Sequence, residues 1–413
     1  DKGVAIAYDS RIMSPEFSDE AALCLNANGI KTYRFESLRP TPELSFSVRE
    51  LGCIAGIVIT ASHNPREYNG YKVYWEDGAQ ITPPHDKNIL AEVAKVTDFS
   101  QVKTMMKSEA EAAGLYHTIG KEMDDRYMEE LKKQSIHPEI IKAMAKDIKI
   151  VYTPLHGTGN LPVRRVLKEL GFENVYVVKE QELPDGDFPT VSYPNPEAEE
   201  AFALGLALGR KVDADLILAT DPDADRVGIA MKCPDGSYEL VSGNEVGVLL
   251  LDYICAGRKE LGTLPEKAVA VKSIVSTPLA DAVAAHYGVE MRSVLTGFKW
   301  IGDQIASLEA AGEVDRFIFG FEESYGYLAG PYVRDKDAVI SSMLICEMAA
   351  YYRSIGSSLK QRLEEIYAQY GRYLNKVDSF EFPGLSGMDT MAGIMQKFRD
   401  NPPADIAGYK VVK

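Results

Sequence analysis

Apolar and polar positions follow two different periods along this 413-residue chain. Short apolar runs such as "VAIAYD" and "CIAGIVIT" are typical of strands that are buried on both faces of a parallel sheet. Longer segments between them begin at Ser-Pro or Thr-Pro and end at glycine, which are helix start and stop signals. This alternation of strands and helices predicts an α/β fold with mostly parallel sheets.

Three long stretches repeat the alternation, and 413 residues are too many for one ordinary core. We therefore expect three consecutive α/β domains at 1–120, 121–240 and 241–370, with mixed, mostly parallel sheets around a central cleft. A polar stretch at about 100–146 is predicted to be a helical connector. Residues 371–413 carry a strand ("KVDSFEF"), a helix and a strand ("YKVV"), so we expect the start of a truncated fourth α+β domain there.

Composition narrows the possible partners and the compartment. A formal net charge of −16 argues against a nucleic acid or an anionic membrane surface as partner, because both require a positive face. Five scattered cysteines without a CxxC pair favour a reducing compartment, hence the cytoplasm. No apolar run approaches the roughly 18 residues that a membrane span needs. Both a monomer and a homodimer are compatible with this composition.

Ligands of doubly wound sheets bind beyond the carboxyl ends of the strands, so the loops there are the candidates for chemistry. The first such loop is "TASHNP", in which Ser62 and His63 directly follow a predicted central strand. Serine, asparagine and proline are also ordinary turn formers, and a Ser-His pair is a hydrolase dyad only if the side chains meet in space. Lys72 follows an Asn69-Gly70 turn, which we expect to fold the lysine back towards Ser62.

The second loop, "ATDPDADRVG", places carboxylates at alternate positions: Asp221, Asp223 and Asp225. Three carboxylates cannot all ionise close together without a cation, and oxygen ligands favour Mg²⁺ or Ca²⁺. An EF-hand does not fit, because Arg226 stands where glycine is needed and Lys232 where glutamate is needed. An octahedral metal with three carboxylates still accepts an oxygen from a phosphate.

Two further loops carry groups suited to a phosphorylated sugar. In "LTGFKWIG", Gly297 and Lys299 lie at a predicted helix start, which favours an anion. In "GFEESYGYLAG", Glu322 and Ser324 offer polar groups for sugar hydroxyls. Basic side chains recur in the loops of this acidic chain: Lys72, Arg226, Lys299, Arg334 and Lys336. Together these loops predict a local positive pocket for a phosphorylated substrate.

The motifs "TASHNP…YNGYK", "DPDADR", "TGFKW" and "GFEESYG" together resemble the α-D-phosphohexomutase family, in its longer bacterial type. The resemblance covers nearly the whole chain, in order. It implies a cytoplasmic isomerase that interconverts α-D-glucose 1-phosphate and glucose 6-phosphate. It also implies Mg²⁺ as the metal and glucose 1,6-bisphosphate as intermediate and activator.

The resemblance also implies roles for individual residues. Ser62 would be carried as phosphoserine, and Lys72 would be a general acid or base if its pKa were lowered near the metal and the arginine. Catalysis is thus assigned to Ser62, His63, Lys72 and Arg226, and metal binding to Ser62, Asp221, Asp223 and Asp225. Sugar recognition is assigned to Gly297, Lys299, Trp300, Glu322 and Ser324, and weaker phosphate contacts to Arg334 and Lys336.

The sequence departs from the family pattern at both ends. The Gly-Arg segment expected before "YDSR" and the Ser-Gly-Thr-Glu-Pro phosphate loop do not occur in it. We therefore expect that the 413 residues are part of a longer gene product, and that alone they bind substrate poorly and turn over slowly.

Three other classes of function remain open at this point: a mutase for a different sugar, a phosphatase and a non-catalytic binding protein. Phosphopentomutase and phosphomannomutase use the same chemistry, and "TGFKW" is shared by enzymes that act on ribose and glucose phosphates. A Mg²⁺-dependent phosphatase could use Asp221 or Asp223 as nucleophile, but Asp225 stands where that motif has threonine or valine, and Ser62 would have no role. A non-catalytic binding protein would not need Ser62, Lys72 and three aspartates together.

Overall fold

The computed structural model of the protein describes residues 2–376, 380, 382, 384 and 386–412. These residues form two compact units, Asp1–Tyr373 and Leu374–Lys413. The first unit contains three sheets that follow one another along the chain, each packed against helices. The α/β class with mixed, mostly parallel sheets is therefore confirmed.

The first sheet has five strands in the order β4-β3-β1-β2-β5. Its strands are β1 (Val4–Tyr8), β2 (Thr32–Phe35), β3 (Ala55–Ile59), β4 (Tyr71–Trp75) and β5 (Tyr116–Ile119). The helices within this part are α1 (Ser14–Ala27), α2 (Thr41–Glu50), α3 (His85–Val93) and α4 (Lys107–Ala112). All strands are parallel to their neighbours except β4, which pairs antiparallel with β3 and sets Lys72 opposite Val58.

The interpretation of 100–146 as a helical connector was wrong for one segment, because β5 lies inside it and extends the first sheet beside β2. Its four residues, "YHTI", form an edge strand with only its first residue buried. A short edge strand carries few apolar residues, so its hydrophobic pattern is weak.

The second sheet also has five strands, in the order β10-β9-β8-β6-β7. Its strands are β6 (Lys149–Thr153), β7 (Asn174–Val177), β8 (Leu216–Thr220), β9 (Val227–Lys232) and β10 (Tyr238–Val241). The helices that precede and accompany it are α5 (Lys121–Lys133), α6 (Pro138–Met144), α7 (Asn160–Leu170) and α8 (Glu199–Val212). Strands β9 and β10 pair antiparallel and form a hairpin around the "PDG" turn at 234–236.

The third sheet has four strands in the order β12-β11-β13-β14. Its strands are β11 (Val269–Ser273), β12 (Glu290–Val294), β13 (Phe317–Glu322) and β14 (Gly326–Ala329). Its helices are α9 (Gly243–Glu260), α10 (Leu279–Tyr287), α11 (Lys299–Ala310), α12 (Ala338–Ser354) and α13 (Leu359–Tyr370). Helix α12 is buried along almost its whole length and packs against α6, α7 and α9, so it joins the cores of the second and third sheets.

The second unit contains α14 (Gly387–Asp400) and a small antiparallel hairpin of β15 (Asp405–Ile406) and β16 (Tyr409–Lys410). The predicted helix is confirmed, and the strand predicted at "YKVV" is limited to the two residues of β16. The strand predicted at 376–382 falls largely outside the described residues. Within the described chain, no helix combines the length and the hydropathy needed to cross a bilayer.

Candidate active site

The serine loop, residues 60–70, follows β3 at the carboxyl end of the first sheet. Ser62 adopts φ 53°, a left-handed conformation that costs energy in a residue with a side chain. Its backbone N–H donates to Thr60 Oγ1 at 2.8 Å, which helps to hold this turn. The Ser62 hydroxyl donates to Asp221 Oδ2 at 3.0 Å and lies 3.2 Å from His63 Nδ1. The loop therefore presents the Ser62 hydroxyl to the second sheet.

The side chain of one buried arginine, Arg11, forms hydrogen bonds with the backbone of the serine loop. Arg11 is 1% exposed, and its guanidinium donates to Ser62 O at 2.6 Å, to Pro65 O at 2.9 Å and to Tyr68 O at 2.9 Å, as well as to Asn64 O. A guanidinium has five N–H donors in a planar arrangement and can serve these four carbonyl groups, whereas a lysine ammonium has only three donors. Sequence reasoning missed Arg11, although the pair of charged residues in "YDSR" directly after a buried strand was a usable signal.

Asp9 in turn orients Arg11. Its carboxylate lies 3.4 Å from Arg11 Nε and accepts hydrogen bonds from Thr60 Oγ1 at 2.6 Å and Ser14 Oγ at 2.8 Å. Burial raises the pKa of Asp9 to about 6, against the opposing effects of Thr60 and Arg11. Removal of one partner from a buried ion pair typically costs about 3–5 kcal/mol, because the other charge is left uncompensated. Hydrogen bonds and an ion pair within the chain therefore hold the serine loop in its conformation.

The aspartate loop, residues 220–226, follows β8 at the carboxyl end of the second sheet. Oxygen atoms of Asp221, Asp223 and Asp225 lie within 4.8 Å of one another, and all three residues are buried. Ala224, with φ 50°, turns the loop so that the carboxylates converge. Asp221 Oδ1 accepts the N–H groups of Asp225 and Arg226 at 3.1 and 3.0 Å. Burial, and then the two neighbouring carboxylates, raises the pKa of Asp221 well above its usual value.

The donor set of the aspartate loop fits a hard divalent cation. Asp223 Oδ1 and Asp225 Oδ1 are buried, and neither has a hydrogen-bond partner within the described part of the chain. A buried carboxylate oxygen without a partner is costly unless a cation compensates for it. Carboxylate oxygens are the preferred ligands of Mg²⁺, which usually keeps further positions for water or phosphate. Ser62, beside Asp221, lies where such an additional oxygen is needed.

Lys72 reaches the aspartate loop from β4. Its Nζ donates to Asp223 Oδ2 at 2.8 Å and to Asp225 Oδ2 at 3.4 Å, and Thr41 Oγ1 also donates to Asp223 Oδ2 at 2.8 Å. Burial opposes the charge of Lys72, but the two carboxylates outweigh it and raise its pKa. A role for Lys72 as a general base requires a lowered pKa near the metal and the arginine. Without a metal, the nearest charges are the two carboxylates, and they raise the pKa.

Two further cations and His63 surround the cluster. Lys336 Nζ lies 3.0 Å from Asp225 Oδ2, and despite burial this carboxylate raises the pKa of Lys336. The Arg226 guanidinium donates to Glu197 Oε1 at 3.0 Å. Burial, and then Arg226, lowers the pKa of His63 to about 3, so its ring is neutral near pH 7. Sequence reasoning missed Glu197, which is far from Arg226 along the chain.

The loops of the third sheet provide the remaining predicted residues. Glu322 ends β13, and its Oε1 accepts the N–H of Gly297 at 2.7 Å, which ties the two predicted sugar loops together. Burial raises the pKa of Glu322. Lys299 Nζ lies 5.5 Å from the centre of the Trp300 ring, and Ser324 is half-buried. Lys336, whose Nζ lies 3.0 Å from Asp225 Oδ2, also acts on the charge of Glu322 and thus connects these loops to the aspartate loop.

The structure does not bring Arg334 into this arrangement, so its prediction as a phosphate contact needs correction. The side chain is fully buried and donates to Glu309 Oε2 at 2.8 Å and to the carbonyl oxygens of Val333 and Pro331. Its backbone N–H donates to Ser45 Oγ on α2. Arg334 therefore links the third sheet's domain to the first, whereas Lys336, two residues later, reaches the cluster.

Loops from the carboxyl ends of three sheets thus converge on one acidic cluster flanked by lysines. Three family descriptions match the chain: phosphoglucomutase/phosphomannomutase alpha/beta/alpha domain I at 1–99, domain II at 125–236 and domain III at 242–370. The chain therefore belongs to the phosphoglucomutase/phosphomannomutase family, whose members are phosphohexomutases and hence isomerases.

Individual relatives narrow the comparison further. The chain is 38% identical over 409 residues to the phosphoglucomutase of Staphylococcus epidermidis. The aligned region covers 99% of this chain and 72% of the relative. A phosphoglucomutase/phosphomannomutase family protein from Burkholderia thailandensis shares the fold, with a TM-score of 0.69 and 20% identity. The superposition covers 99% of this chain and 78% of the Burkholderia chain. The N-acetylphosphoglucosamine mutase of Aspergillus fumigatus, in complex with GlcNAc-6P and magnesium, gives a TM-score of 0.50 and 15% identity. The superposition covers 89% of this chain and 81% of the Aspergillus chain.

Proposed function

We propose that this chain interconverts α-D-glucose 1-phosphate and glucose 6-phosphate, which is the phosphoglucomutase reaction. One observation carries the proposal: the Ser62 hydroxyl lies 3.0 Å from the Asp221 carboxylate, within a cluster of three carboxylates flanked by Lys72 and Lys336. A hydroxyl placed beside a cation site and two lysines suits the transfer of a phosphoryl group.

Ser62 carries the phosphoryl group as phosphoserine in the active protein. The free hydroxyl of a hexose monophosphate attacks this phosphorus, the bond to Ser62 Oγ breaks, and a hexose bisphosphate forms, here glucose 1,6-bisphosphate. The bisphosphate then returns its other phosphoryl group to Ser62, so the serine is regenerated as phosphoserine and the product is the isomeric monophosphate. The two lysines neutralise charge on the transferred group, and exclusion of water prevents loss of the phosphoryl group by hydrolysis.

Asp221, Asp223 and Asp225 would hold Mg²⁺ together with an oxygen of phosphorylated Ser62. The bound ion supplies positive charge for the phosphoryl oxygens. The unpartnered oxygens of Asp223 and Asp225 support this assignment, and the Aspergillus relative contains magnesium. The same residue pattern could also hold Ca²⁺, but phosphoryl-transfer sites more commonly use Mg²⁺ with few protein ligands.

Lys72 is the proposed general acid and base for the sugar hydroxyl. Lys72 Nζ donates to Asp223 Oδ2 at 2.8 Å, and this carboxylate raises the pKa of the lysine. When the carboxylate instead holds the proposed metal, its charge no longer raises the pKa of Lys72, and the lysine releases its proton more readily. Lys336 stands in an equivalent position beside Asp225 and is a second candidate for the same role. His63 is neutral and supports the Ser62 hydroxyl, and Arg226 is proposed to contact the phosphate of the substrate.

The loops of the third sheet are proposed to recognise the sugar. Glu322 and Ser324 face hydroxyl groups, and Gly297, Lys299 and Trp300 contact the other end of the sugar. Glucose is favoured over mannose and ribose because the Staphylococcus phosphoglucomutase matches 99% of the chain. Phosphomannomutase and phosphopentomutase activities remain the alternatives with the same mechanism.

The expected setting is the cytoplasm, as a monomer or homodimer with a phosphosugar as its partner. The five cysteines are all free, which suits a reducing compartment. The net charge of −16 disfavours nucleic acids and anionic membranes as partners.

The deciding experiment uses the full-length protein with Mg²⁺ and a trace of glucose 1,6-bisphosphate. Turnover of glucose 1-phosphate is compared with that of mannose, ribose and N-acetylglucosamine 1-phosphates, and intact mass is measured before and after substitution of Ser62. We expect glucose 1-phosphate to be the best substrate, one phosphate on the wild type, and neither phosphate nor turnover in Ser62→Ala.

Ser307→Ala, at an exposed position on α11, is the matched control and should retain both properties. Full mutase turnover in Ser62→Ala would overturn the proposal. Phosphate release without isomerisation, unchanged by Ser62→Ala, would instead identify a phosphatase.

A further inference from the structure

The side chain of Arg226, which is proposed to contact phosphate, is held by one carboxylate. Its Nη1 donates to Glu197 Oε1 at 3.0 Å, whereas its Nε is buried without a hydrogen-bond partner and lies 3.8 Å from Asp225 Oδ1. Among the residues that the structure describes, Glu197 therefore supplies the only hydrogen bond of the Arg226 side chain. The proposed reaction gives Glu197 no role.

The backbone of Arg226 is fixed from two sides. Its N–H donates to Asp221 Oδ1 at 3.0 Å, and the residue forms an isolated β-bridge with Gly326 in the turn between β13 and β14. The next N–H along the chain, that of Val227, donates to Tyr325 O at 3.1 Å. A long side chain on a fixed backbone still has several rotatable bonds, so the partner of the guanidinium decides where the charge lies.

Glu197 ends a rigid turn, residues 193–197, which we call the proline turn. Pro194 and Pro196 restrict φ at two of its five positions. Asn195 is 6% exposed, and its Oδ1 accepts the N–H of Glu197 at 3.0 Å, as in an Asx turn. The backbone of Glu197 is therefore held before its side chain makes any contact.

The proline turn packs directly on the strand that follows Arg226. A Cβ atom at Gly228 on β9 would lie 2.4 Å from Pro196 O, a separation that a real side chain does not tolerate. Glycine at this position therefore allows the turn to approach the strand two residues beyond Arg226. This packing fixes the distance between the backbone of Glu197 and that of the arginine it holds.

The other end of the proline turn reaches the serine loop. The ring of Tyr193 lies 5.6 Å from that of His63 in an edge-on arrangement, and His63 Nδ1 lies 3.2 Å from the Ser62 hydroxyl. After burial, the charge of Arg226 is the next cause that lowers the pKa of His63, so the guanidinium lies close to this ring. One turn thus contacts the imidazole beside Ser62 and, through Glu197, the guanidinium near it.

We propose that Glu197 is a positioning residue for phosphoryl transfer, which holds the Arg226 guanidinium between the serine loop and the aspartate loop so that it meets the phosphoryl group in transfer. This inference rests on the proposed function. A charge that is in place before the reaction stabilises the transition state without reorganisation. One carboxylate oxygen occupies only one of the five N–H donors of Arg226, so donors remain for phosphate.

Steady-state kinetics of the full-length protein with glucose 1-phosphate test this role. Glu197→Ala should lower kcat about tenfold and leave KM within about twofold, because a displaced guanidinium is lost mainly from the transition state. Glu197→Gln keeps an oxygen that accepts from Arg226 and should lower kcat only about threefold. The Glu197 side chain is 37% exposed, so both variants should fold. Glu199→Ala, at an exposed position two residues further, is the matched control and should retain kcat.

A double-mutant cycle separates positioning from a general structural effect. In an Arg226→Lys background, Glu197→Ala should lower kcat by less than about twofold, because the group through which Glu197 acts is already changed. An equal loss in both backgrounds would overturn the positioning role. So would a raised KM with unchanged kcat, which would make Glu197 a residue that binds substrate.

A measurement without turnover completes the test. Reaction of Arg226 with phenylglyoxal, located by peptide mass spectrometry, should be faster in Glu197→Ala than in wild type or Glu199→Ala, and equal rates would overturn the role of Glu197 as holder of the guanidinium. A wild type without mutase turnover would refute the proposed function. An active wild type with an equally active Glu197→Ala variant would refute the positioning role alone.

Discussion

The serine loop and the aspartate loop occupy similar positions at the ends of strands, but their polar groups differ in the partners that the chain provides. Both follow a central strand at its carboxyl end, and both contain a non-glycine residue with positive φ, Ser62 at 53° and Ala224 at 50°. Arg11 donates to four carbonyl groups of the serine loop, whereas Asp223 Oδ1 and Asp225 Oδ1 are buried with no hydrogen-bond partner among the residues that the structure describes. The chain itself therefore holds the serine loop, while the aspartate loop leaves acceptor oxygens for the proposed metal ion.

The largest effect on activity is expected from a substitution in the aspartate loop, at Asp223. Asp223→Asn removes a negative charge that faces Lys72 and Thr41 and that the proposed metal requires. We expect turnover to fall by about 100-fold or more and Mg²⁺ to be required at much higher concentration, as measured by steady-state kinetics over a magnesium titration. Asp303→Asn, at an exposed position on α11, is the control. A loss below tenfold with an unchanged magnesium midpoint would contradict the cation site.

A change at Arg11 should damage the serine loop without altering the aspartate loop. Arg11→Lys keeps the charge beside Asp9 but cannot donate to all four carbonyl groups. We expect the free energy of unfolding to fall by about 2–4 kcal/mol and turnover to fall about tenfold, with the magnesium midpoint unchanged. Denaturant unfolding and kinetics measure these effects.

Arg66→Lys serves as the control for Arg11, because Arg66 lies on the same loop with a 56% exposed side chain and only weak partners at 3.4 Å. If Arg11→Lys raised the magnesium midpoint as strongly as it lowered stability, the two loops would not be separable in the way we describe.

A smaller effect is expected from a substitution of Thr41, whose hydroxyl donates to the aspartate loop. Thr41→Val removes the hydroxyl that donates to Asp223 Oδ2 at 2.8 Å and keeps the shape of the side chain. Groups that orient a metal ligand typically contribute about 10-fold or more in metal affinity, so the magnesium midpoint should rise about three- to tenfold while Ser62 is still phosphorylated. Isothermal titration with Mg²⁺ and intact mass test these two outcomes separately, and a lower phosphate content with unchanged affinity would reverse the assignment.

The smallest expected effect concerns an ion pair that fastens the domain of the serine loop to the third domain. Glu309 on α11 accepts from Arg49 on α2 at 2.8 Å and from Arg334 at 2.8 Å. The hydrogen bond from Arg49, and then the charge of Arg334, lowers the pKa of Glu309 to about 2 from 4.5. Because the folded pKa is the lower one, the stabilisation is present above pH 4.5 and is lost as the pH falls towards 2.

Glu309→Gln should therefore lower the thermal midpoint slightly at pH 6, and the difference from wild type should shrink at pH 3. The effect is small because the Glu309 side chain is 41% exposed and solvent screens the pair. Asp303→Asn on the same helix should show no such pH dependence. A difference that stays constant between pH 6 and pH 3 would show that Glu309 acts through packing rather than charge.

Strongly periodic segments were predictable from the sequence, and short edge elements were not. The strands β1, β3, β8 and β13 and the helices between them follow from apolar runs bounded by prolines and glycines. Strand β5 was missed because its four residues sit at a sheet edge with one buried position. Strand β4 was missed as a strand because its first residues, including Lys72, are largely polar or exposed, although the turn before it was recognised.

The residues of the candidate site divide in a similar way. Ser62, the three aspartates and Lys336 stand in compact motifs, and the structure brings them together. Arg334 stands in the same motif as Lys336, yet its side chain turns towards Glu309, and a sequence pattern does not specify that direction. Arg11, Thr41 and Glu197 were missed because their functional contacts join residues that are far apart in the chain.

The sequence by itself determined the α/β class, the order of the central strands and main helices, and which loops carry the hydroxyl, the carboxylates and the basic groups. These features depend on local periodicity and on residue chemistry, which are properties of short segments. Only the tertiary structure decided that Ser62 meets Asp221 across 159 positions, that the carboxylates of Asp223 and Asp225 raise the pKa of Lys72, and that Arg334 is buried away from the cluster. Distances between remote residues and the burial that shifts a pKa arise only when the sheets pack together, so no local pattern contains them.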